Sequence, residues 1–321
     1  KPVVVTGAAS FIGLLLLLAL APFIGADFSP AAVSTGVLAG IASAFALTCL
    51  YAALAIGPIS IVSPLTALLS AIVPMVVGVW LGDRFSTLGW IALLLILISV
   101  ILVALIPGEA AKLPSLRGTL FAVGAGVGIG FVLIAVDASP ADSGIATIIV
   151  LRTVGALILA GASLVIWLRS KRLTLDSPGS GINKRILLAV AVTGIFDSLA
   201  NIFFTLAIRE GSLSVVAVLT ALYPVGTILL ARFVLKEKLA GVQSVGIAIA
   251  IGAMVDATIV MVENAHKHLQ GKENITKEER IEIILSSAKQ VGRPIFFALL
   301  LIVVSFLPIF AFDNIWKKYY P

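Results

Sequence analysis

From Lys1 onward the sequence is a string of apolar runs, each about as long as a bilayer is thick, parted by short breaks. The runs cover 1–25, 30–56, 58–81, 86–106, 117–137, 145–168, 187–209, 212–235 and 240–262. The breaks carry the turn formers and charges, as in Gly57-Pro58, Gly82-Asp83-Arg84, Glu210-Gly211 and Lys236-Glu237-Lys238. A helix needs about 20 residues to cross the hydrocarbon core. Only 12% of the residues are charged, against about 25% in soluble domains. In lipid each backbone N–H and C=O must be satisfied within its own segment, so such runs fold as helices. The expected fold class is all-α, a polytopic membrane protein. A last run at 294–311 lies near the lower length limit and brings the expectation to about ten transmembrane helices. The net charge of +6 sits in the breaks, where it orients spans; it does not call for nucleic acid. Cys49 is the sole cysteine, so an intramolecular disulfide is excluded.

One stretch is used twice. Leu65-Thr66-Ala67-Leu68 returns as Leu219-Thr220-Ala221-Leu222, a shift of 154, and Leu54-Ala55-Ile56 returns as Leu206-Ala207-Ile208, a shift of 152. Val5-Thr6-Gly7-Ala8 also fits Thr153-Val154-Gly155-Ala156. The second copy closes a five-span unit beginning near Arg117, and the first copy closes a unit of four. The expectation is an inverted five-helix repeat lacking its first helix, because tandem units of odd span number must face opposite ways. A solute site is then expected near the midplane, between the halves.

Gly57-Pro58-Ile59-Ser60 leading into Ser63-Pro64-Leu65-Thr66-Ala67-Leu68, the paired halves and the acidic-basic turns Asp83-Arg84 and Glu237-Lys238 carry a family resemblance. Residues 1 to about 245 resemble the drug/metabolite transporter superfamily, EamA type. That resemblance implies a small-solute carrier, often an exporter of metabolites. From Gly246 the character changes. Gly246–Ala257 running into Ile259–Lys267 resembles the fourth transmembrane helix of heavy-metal efflux pumps of the resistance-nodulation-division family. Gly292-Arg293-Pro294 and Ser305–Phe310 resemble the next helix of those pumps. The chain reads as a fusion, organised as a first EamA-like half at 1–106, a second at 117–262 and a metal-pump-like tail at 263–321. Near the amino terminus, Gly7, Ser10 and Gly13 resemble a Rossmann glycine turn. Ser10 replaces the glycine that must approach a pyrophosphate, and no βαβ alternation follows.

Polar residues inside the runs are the candidate site. Thr193, Asp197, Asn201 and Thr205 recur every four residues and share one helix face. A charge at mid-membrane costs at least ~2.5 kcal/mol, so it should face a partner or a wet cavity. Asp197 is read as a cation or proton contact, with Thr193 and Asn201 beside it; hydrogen bonding between helices is the plainer alternative. Ser63, Thr66 and Ser70 share a second face, and Thr220, Tyr223 and Thr227 a third. The carrier resemblance makes Ser63, Thr66, Thr220 and Tyr223 substrate-binding residues; ordinary glue between helices explains them equally well. Arg152, about seven residues inside its span, is read as snorkelling to the interface, with an acid such as Asp137 as the other option. Gly124, Gly126, Gly128 and Gly130 predict close helix approach. Pro64, Pro74 and Pro224 each remove a backbone donor and predict kinks.

In the pump-like stretch from Gly246, Asp256 matches the intramembrane proton-relay aspartate of the metal pumps, by resemblance. Glu263, His266 and His268 sit at a span's polar end and point to different faces, so no metal site is assigned. Thr276-Lys277-Glu278-Glu279 predicts a capping box. It opens a helix with Ile281, Ile284, Leu285, Ala288 and Val291 on one face, read either as lying at the interface or as a packed connector. Loop charge places Arg169–Arg185 in the cytoplasm, whereas both resemblances place the tail after Val262 there; family topology is preferred.

The reading is a multi-pass inner-membrane carrier that exports small metabolites, amino-acid-like or drug-like, by alternating access. No cofactor is expected, and no enzyme pattern of the Ser-His-Asp, metal-protease or phosphate-loop kind is present. The partners are a small-molecule solute, the lipid bilayer and, if export is ion-linked, protons. A heavy-metal/proton efflux fragment and an inert membrane fusion are the competing readings.

Overall fold

The computed structural model describes residues 2–57, 59–85, 87–104, 115–170, 184–223, 225, 240–252, 276, 279–286, 289, 292–298, 300–301 and 304. Among these the fold is helical. Its elements are α1 (Pro2–Ile24), α2 (Pro30–Ile56), α3 (Ile59–Leu81), α4 (Thr87–Ala104), α5 (Leu116–Asp137), α6 (Ala146–Ser170), α7 (Lys184–Glu210) and α8 (Leu213–Thr220). A further apolar helix, α9, covers Gly241–Gly252, and the tail is helical over 292–298. The chain is an integral membrane protein. By length and composition, 4 described helices can cross a membrane: Pro30–Ile56, Ile61–Leu81, Leu116–Asp137 and Val190–Glu210. Shorter apolar helices lie at Ala8–Ile24, Gly89–Val103, Ala146–Ala162 and Gly241–Gly252.

The run expected at 212–235 is interrupted: α8 ends at Thr220. Leu222 donates to the Leu219 carbonyl at 3.1 Å and Val225 to Leu222 at 2.9 Å, three-residue steps in place of four. Pro224, between them, has no N–H with which to continue the ladder. Pro64 and Pro74, by contrast, sit within a continuous α3. Turn chemistry sets the other ends. Ser29, Ser115 and Ser212 cap α2, α5 and α8 by accepting from Ala32, Gly118 and Val215, each satisfying an orphan amide.

Glycine sets which helices meet. On α5, Gly124 and Gly128 face Phe45, Ala46 and Cys49 of α2, while Gly126 and Gly130 face Thr66, Leu69, Val73 and Pro74 of α3. A Cβ on Gly126 would lie 2.7 Å from Leu69 Cβ, so only glycine permits this approach. The two overlapping glycine spacings are therefore two interfaces. Gly36 and Gly40 bring α2 onto Val150 and Val154 of α6, and Gly13 with Gly194 brings α1 onto α7. The numbering of these pairs makes α1 parallel to α7, α2 parallel to α6, and α5 antiparallel to α2. Outward, large apolar side chains stand open, with Trp80 86% and Phe23 85% exposed at helix ends. A lipid surface covers such a face, with aromatics at its rim.

At one end of the bundle the connections are tied together. Ala26 pairs with Gly144 across the α1–α2 and α5–α6 connections, and Ile145 donates to Gly25 at 3.0 Å. Gly144 has φ +56 and its absent Cβ would strike the Gly25 carbonyl, so glycine is required there twice over. The Asp83 carboxylate accepts from the Ser214 amide at 3.1 Å, tying the α3–α4 turn to the start of α8.

Candidate functional site

The polar face of α7 is built as the four-residue spacing predicted, yet its members do different things. Asn201 donates from Nδ2 to the Asp197 carbonyl at 2.7 Å. Thr205 donates to the Asn201 carbonyl at 2.9 Å and is buried. Both return to their own backbone one turn earlier, a local bond open to small polar side chains within a helix. Thr193 is engaged as well.

Asp197 is the exception. Its carboxylate forms an ion pair with the guanidinium of Arg152 on α6, through Asp197 Oδ2 and Arg152 Nη2. The Arg152 side chain is 12% exposed and that of Asp197 50%. Arg152 therefore does not snorkel, and its acid is Asp197, not Asp137. The physical reason is cost: a lone guanidinium among apolar helices is expensive, and a facing carboxylate across a helix contact offsets it. Arg152 Nε is buried with no hydrogen-bond partner among the described residues.

Ser63 and Tyr223 also meet: their side chains are hydrogen-bonded across α3 and the segment following α8. Thr66, on the same face as Ser63, is occupied differently. It is buried and donates to the Ala122 carbonyl of α5 at 3.3 Å. Ser70 donates back to Ala67 at 2.8 Å. The Thr220 hydroxyl is buried without a hydrogen-bond partner among the described residues, as is that of Ser198, the neighbour of Asp197. Asp256, Glu263, His266, His268, Pro224 and Thr227 lie outside the described residues. Among the described residues, no cluster of His, Cys, Asp and Glu could hold a metal ion.

Arg209, near the end of α7, carried no sequence signal. It donates to the Pro140 carbonyl at 2.8 Å and to Ser143 Oγ at 2.9 Å, clamping the α5–α6 connection. Its partners lie some seventy positions away, so no periodicity announces them.

The tail is docked on the bundle. Arg293 pairs with Glu210 at 3.4 Å, and Phe297 stacks on Phe203 with centroids 6.4 Å apart. Ala298 and Leu301 enter the main core. Glu210, Leu285, Lys289, Gly292, Arg293, Phe296 and Phe297 line a cavity of about 590 Å³ at this seam. The expected capping box is present: the Thr276 amide donates to Glu279 at 2.9 Å and the Glu279 amide to Thr276 at 3.3 Å. Ile281, Ile284 and Leu285 beyond it are exposed, which suits a helix lying at a lipid interface.

Two family matches fall on the chain and overlap over 241–257. Residues 116–257 match the EamA-like transporter family, and residues 241–320 match the AcrB/AcrD/AcrF family. The chain is 44% identical over 75 residues to the cation efflux system protein CusA of Escherichia coli (strain K12), covering 22% of this chain and 7% of that protein. It is 47% identical over 75 residues to the putative cation efflux system protein SilA of Salmonella typhimurium, with the same coverage of 22% and 7%. Over 84 residues it is 33% identical to the cobalt-zinc-cadmium resistance protein CzcA of Cupriavidus metallidurans, 25% of this chain and 8% of that protein. The chain thus spans less than a tenth of the length of these relatives. A segment similar to the EamA-like transporter family thus runs into a segment similar to the AcrB/AcrD/AcrF family.

Proposed function

We propose that the chain is an inner-membrane carrier that exports small metabolites, amino-acid-like or drug-like, by alternating access of two inverted halves. The observation that carries this reading is the Arg152–Asp197 pair. An ion pair inside a bundle rarely adds stability over apolar packing, and charges within spans cluster on solute and ion pathways. One partner is enclosed and the other half open, so the pair is open through its Asp197 side. A solute cation competes for Asp197, and a solute anion competes for Arg152.

The contact pattern supports the inverted halves, 1–106 and 117–262. The repeat equates α1 with α6, α2 with α7 and α3 with α8. Under that exchange the α1–α7 contact becomes the α6–α2 contact, and both are close, glycine-mediated and parallel. Thr193, Asn201, Ser63, Thr66, Thr220 and Tyr223 are assigned to the site with Asp197. The Thr220 hydroxyl, without a hydrogen-bond partner among the described residues, supports its inclusion, since leaving one buried costs about 1–3 kcal/mol unless water or solute satisfies it.

The test is saturable uptake into proteoliposomes of labelled amino acids and cationic drugs. Wild type should transport at least one of them, Asp197→Asn and Arg152→Gln should not, and both variants should purify as monodisperse protein. Equal flux in all three would sink the assignment. A second reading, metal efflux by the pump-like segment from Gly246 onward with Asp256 as proton relay, is favoured by that segment's likeness to cation efflux proteins. It predicts metal tolerance that disappears with Asp256→Asn and is untouched by Asp197→Asn.

A further inference from the structure

The tail helix stands against the second copy of the repeat as α5 stands against the first. Gly57, at the α2–α3 junction, becomes Gly211, at the α7–α8 junction, under the shift of 154. The start of α5 lies at the first junction: a Cβ on Gly118 would be 3.6 Å from Ile56 and 3.7 Å from Gly57. The start of the tail helix lies at the second: a Cβ on Gly211 would be 2.5 Å from Pro294 Cβ. From these points both helices run back antiparallel to the first helix of the hairpin. Gly124 and Gly128 of α5 meet Cys49 and Ala46 of α2, and Phe297 of the tail meets Phe203 of α7. The two interfaces share polarity and starting register, although one helix is glycine-rich and the other opens Gly292-Arg293-Pro294 and carries paired phenylalanines.

We propose that the α7–α8 hairpin presents a helix-binding groove equivalent to the one that α2–α3 presents to α5, and that the pump-derived tail helix is its resident partner. The tail is then a structural member of the carrier, whatever chemistry Asp256 retains. Three contacts define the fit. Pro294 abuts the one junction residue without a side chain, Arg293 answers Glu210 at the groove mouth, and Phe297 fills the wall at Phe203. The Arg293–Glu210 pair is largely exposed, so it sets register more than strength. Gly211 is the sensitive point, because a proline ring cannot swing away from an added side chain.

The test is intramolecular cross-linking in membranes. The full chain, with Cys49→Ser, carries Phe203→Cys and Phe297→Cys and a protease site between Gln270 and Gly271. A second variant pairs Glu210→Cys with Arg293→Cys at the exposed mouth, in case the first fails to fold. After a short bifunctional maleimide and protease, the two fragments should remain joined on a denaturing gel. Adding Gly211→Leu should lower that yield roughly five- to hundredfold, the range expected from overpacking a tight contact. Gly241→Leu, at a position with open space, should leave it unchanged. Separated fragments, with both cysteines shown to be labelled, would overturn the proposal, as would a yield indifferent to Gly211→Leu. No transport is read, so failure of the carrier reading and failure of this one are told apart.

Discussion

A double-mutant cycle on Arg152 and Asp197 follows directly from their unequal burial. Fully exposed ion pairs contribute roughly 0–1 kcal/mol, whereas breaking a fully buried pair costs about 3–5 kcal/mol. With Arg152 12% and Asp197 50% exposed, the coupling should fall between these limits, at about 1.5–3 kcal/mol. The two single variants should differ. Asp197→Asn leaves an enclosed guanidinium whose Nε already has no partner among the described residues, and should cost about 2–3 kcal/mol. Arg152→Gln leaves a half-open carboxylate that water can reach, and should cost about 1–2 kcal/mol. The double variant Arg152→Gln/Asp197→Asn should be no worse than Asp197→Asn alone, since no charge remains stranded. The assay is reversible unfolding in mixed micelles of mild detergent and dodecyl sulfate, followed by circular dichroism. A coupling below about 0.5 kcal/mol, the scatter of independent sites, would refute the pairing, and the reverse order of the single variants would refute the burial argument.

Other positions give separate predictions. Gly126→Ala should destabilise by about 1–3 kcal/mol in the same assay because of Leu69 and the Thr66 carbonyl; Gly124→Ala, with Cys49 Sγ at 3.2 Å, should cost less. Tyr223→Phe should lose about 0.5–1.5 kcal/mol with its hydrogen bond to Ser63. If that pair contacts solute, the Michaelis constant for transport should also rise. Arg209→Gln should free the α5–α6 connection, seen as faster amide exchange over 138–145 with α2 and α3 unchanged. Thr276→Ala should weaken its capping box by about 1 kcal/mol and increase exchange over 279–286 alone.

The helical class and the ends of α2 and α3 were legible because lipid makes hydrophobic length a direct reading of helix length: α2 ends at Ile56 and α3 at Leu81, where the apolar runs stop, while 4 of the about ten expected spans are long and apolar enough to cross among the described residues. The glycines of α5 were legible as close contacts, but not as two separate interfaces, because spacing alone does not say which helix lies on which side. Periodicity also placed Asp197, Asn201 and Thr205 on one face. It could not distinguish Asn201 and Thr205, which bond to their own backbone, from Asp197, which reaches another helix. Arg152 was misread for the same reason, since its partner is fixed by the α6–α7 contact and not by local sequence. The break after Thr220 was not legible in hydropathy, which runs unbroken past it. The docking of the tail had no sequence signal beyond the shared apolarity of the two segments.

The most direct measurement is solute export from cells producing the full chain, Asp197→Asn or Asp256→Asn at matched membrane levels. The panel should hold amino acids, cationic drugs and mono- and divalent metals. Metabolite export is expected from the full chain and from Asp256→Asn, and its loss in Asp197→Asn. Metal export lost only in Asp256→Asn would contradict the carrier reading and move the function to the pump-like segment, and silence from all three would leave an inert fusion.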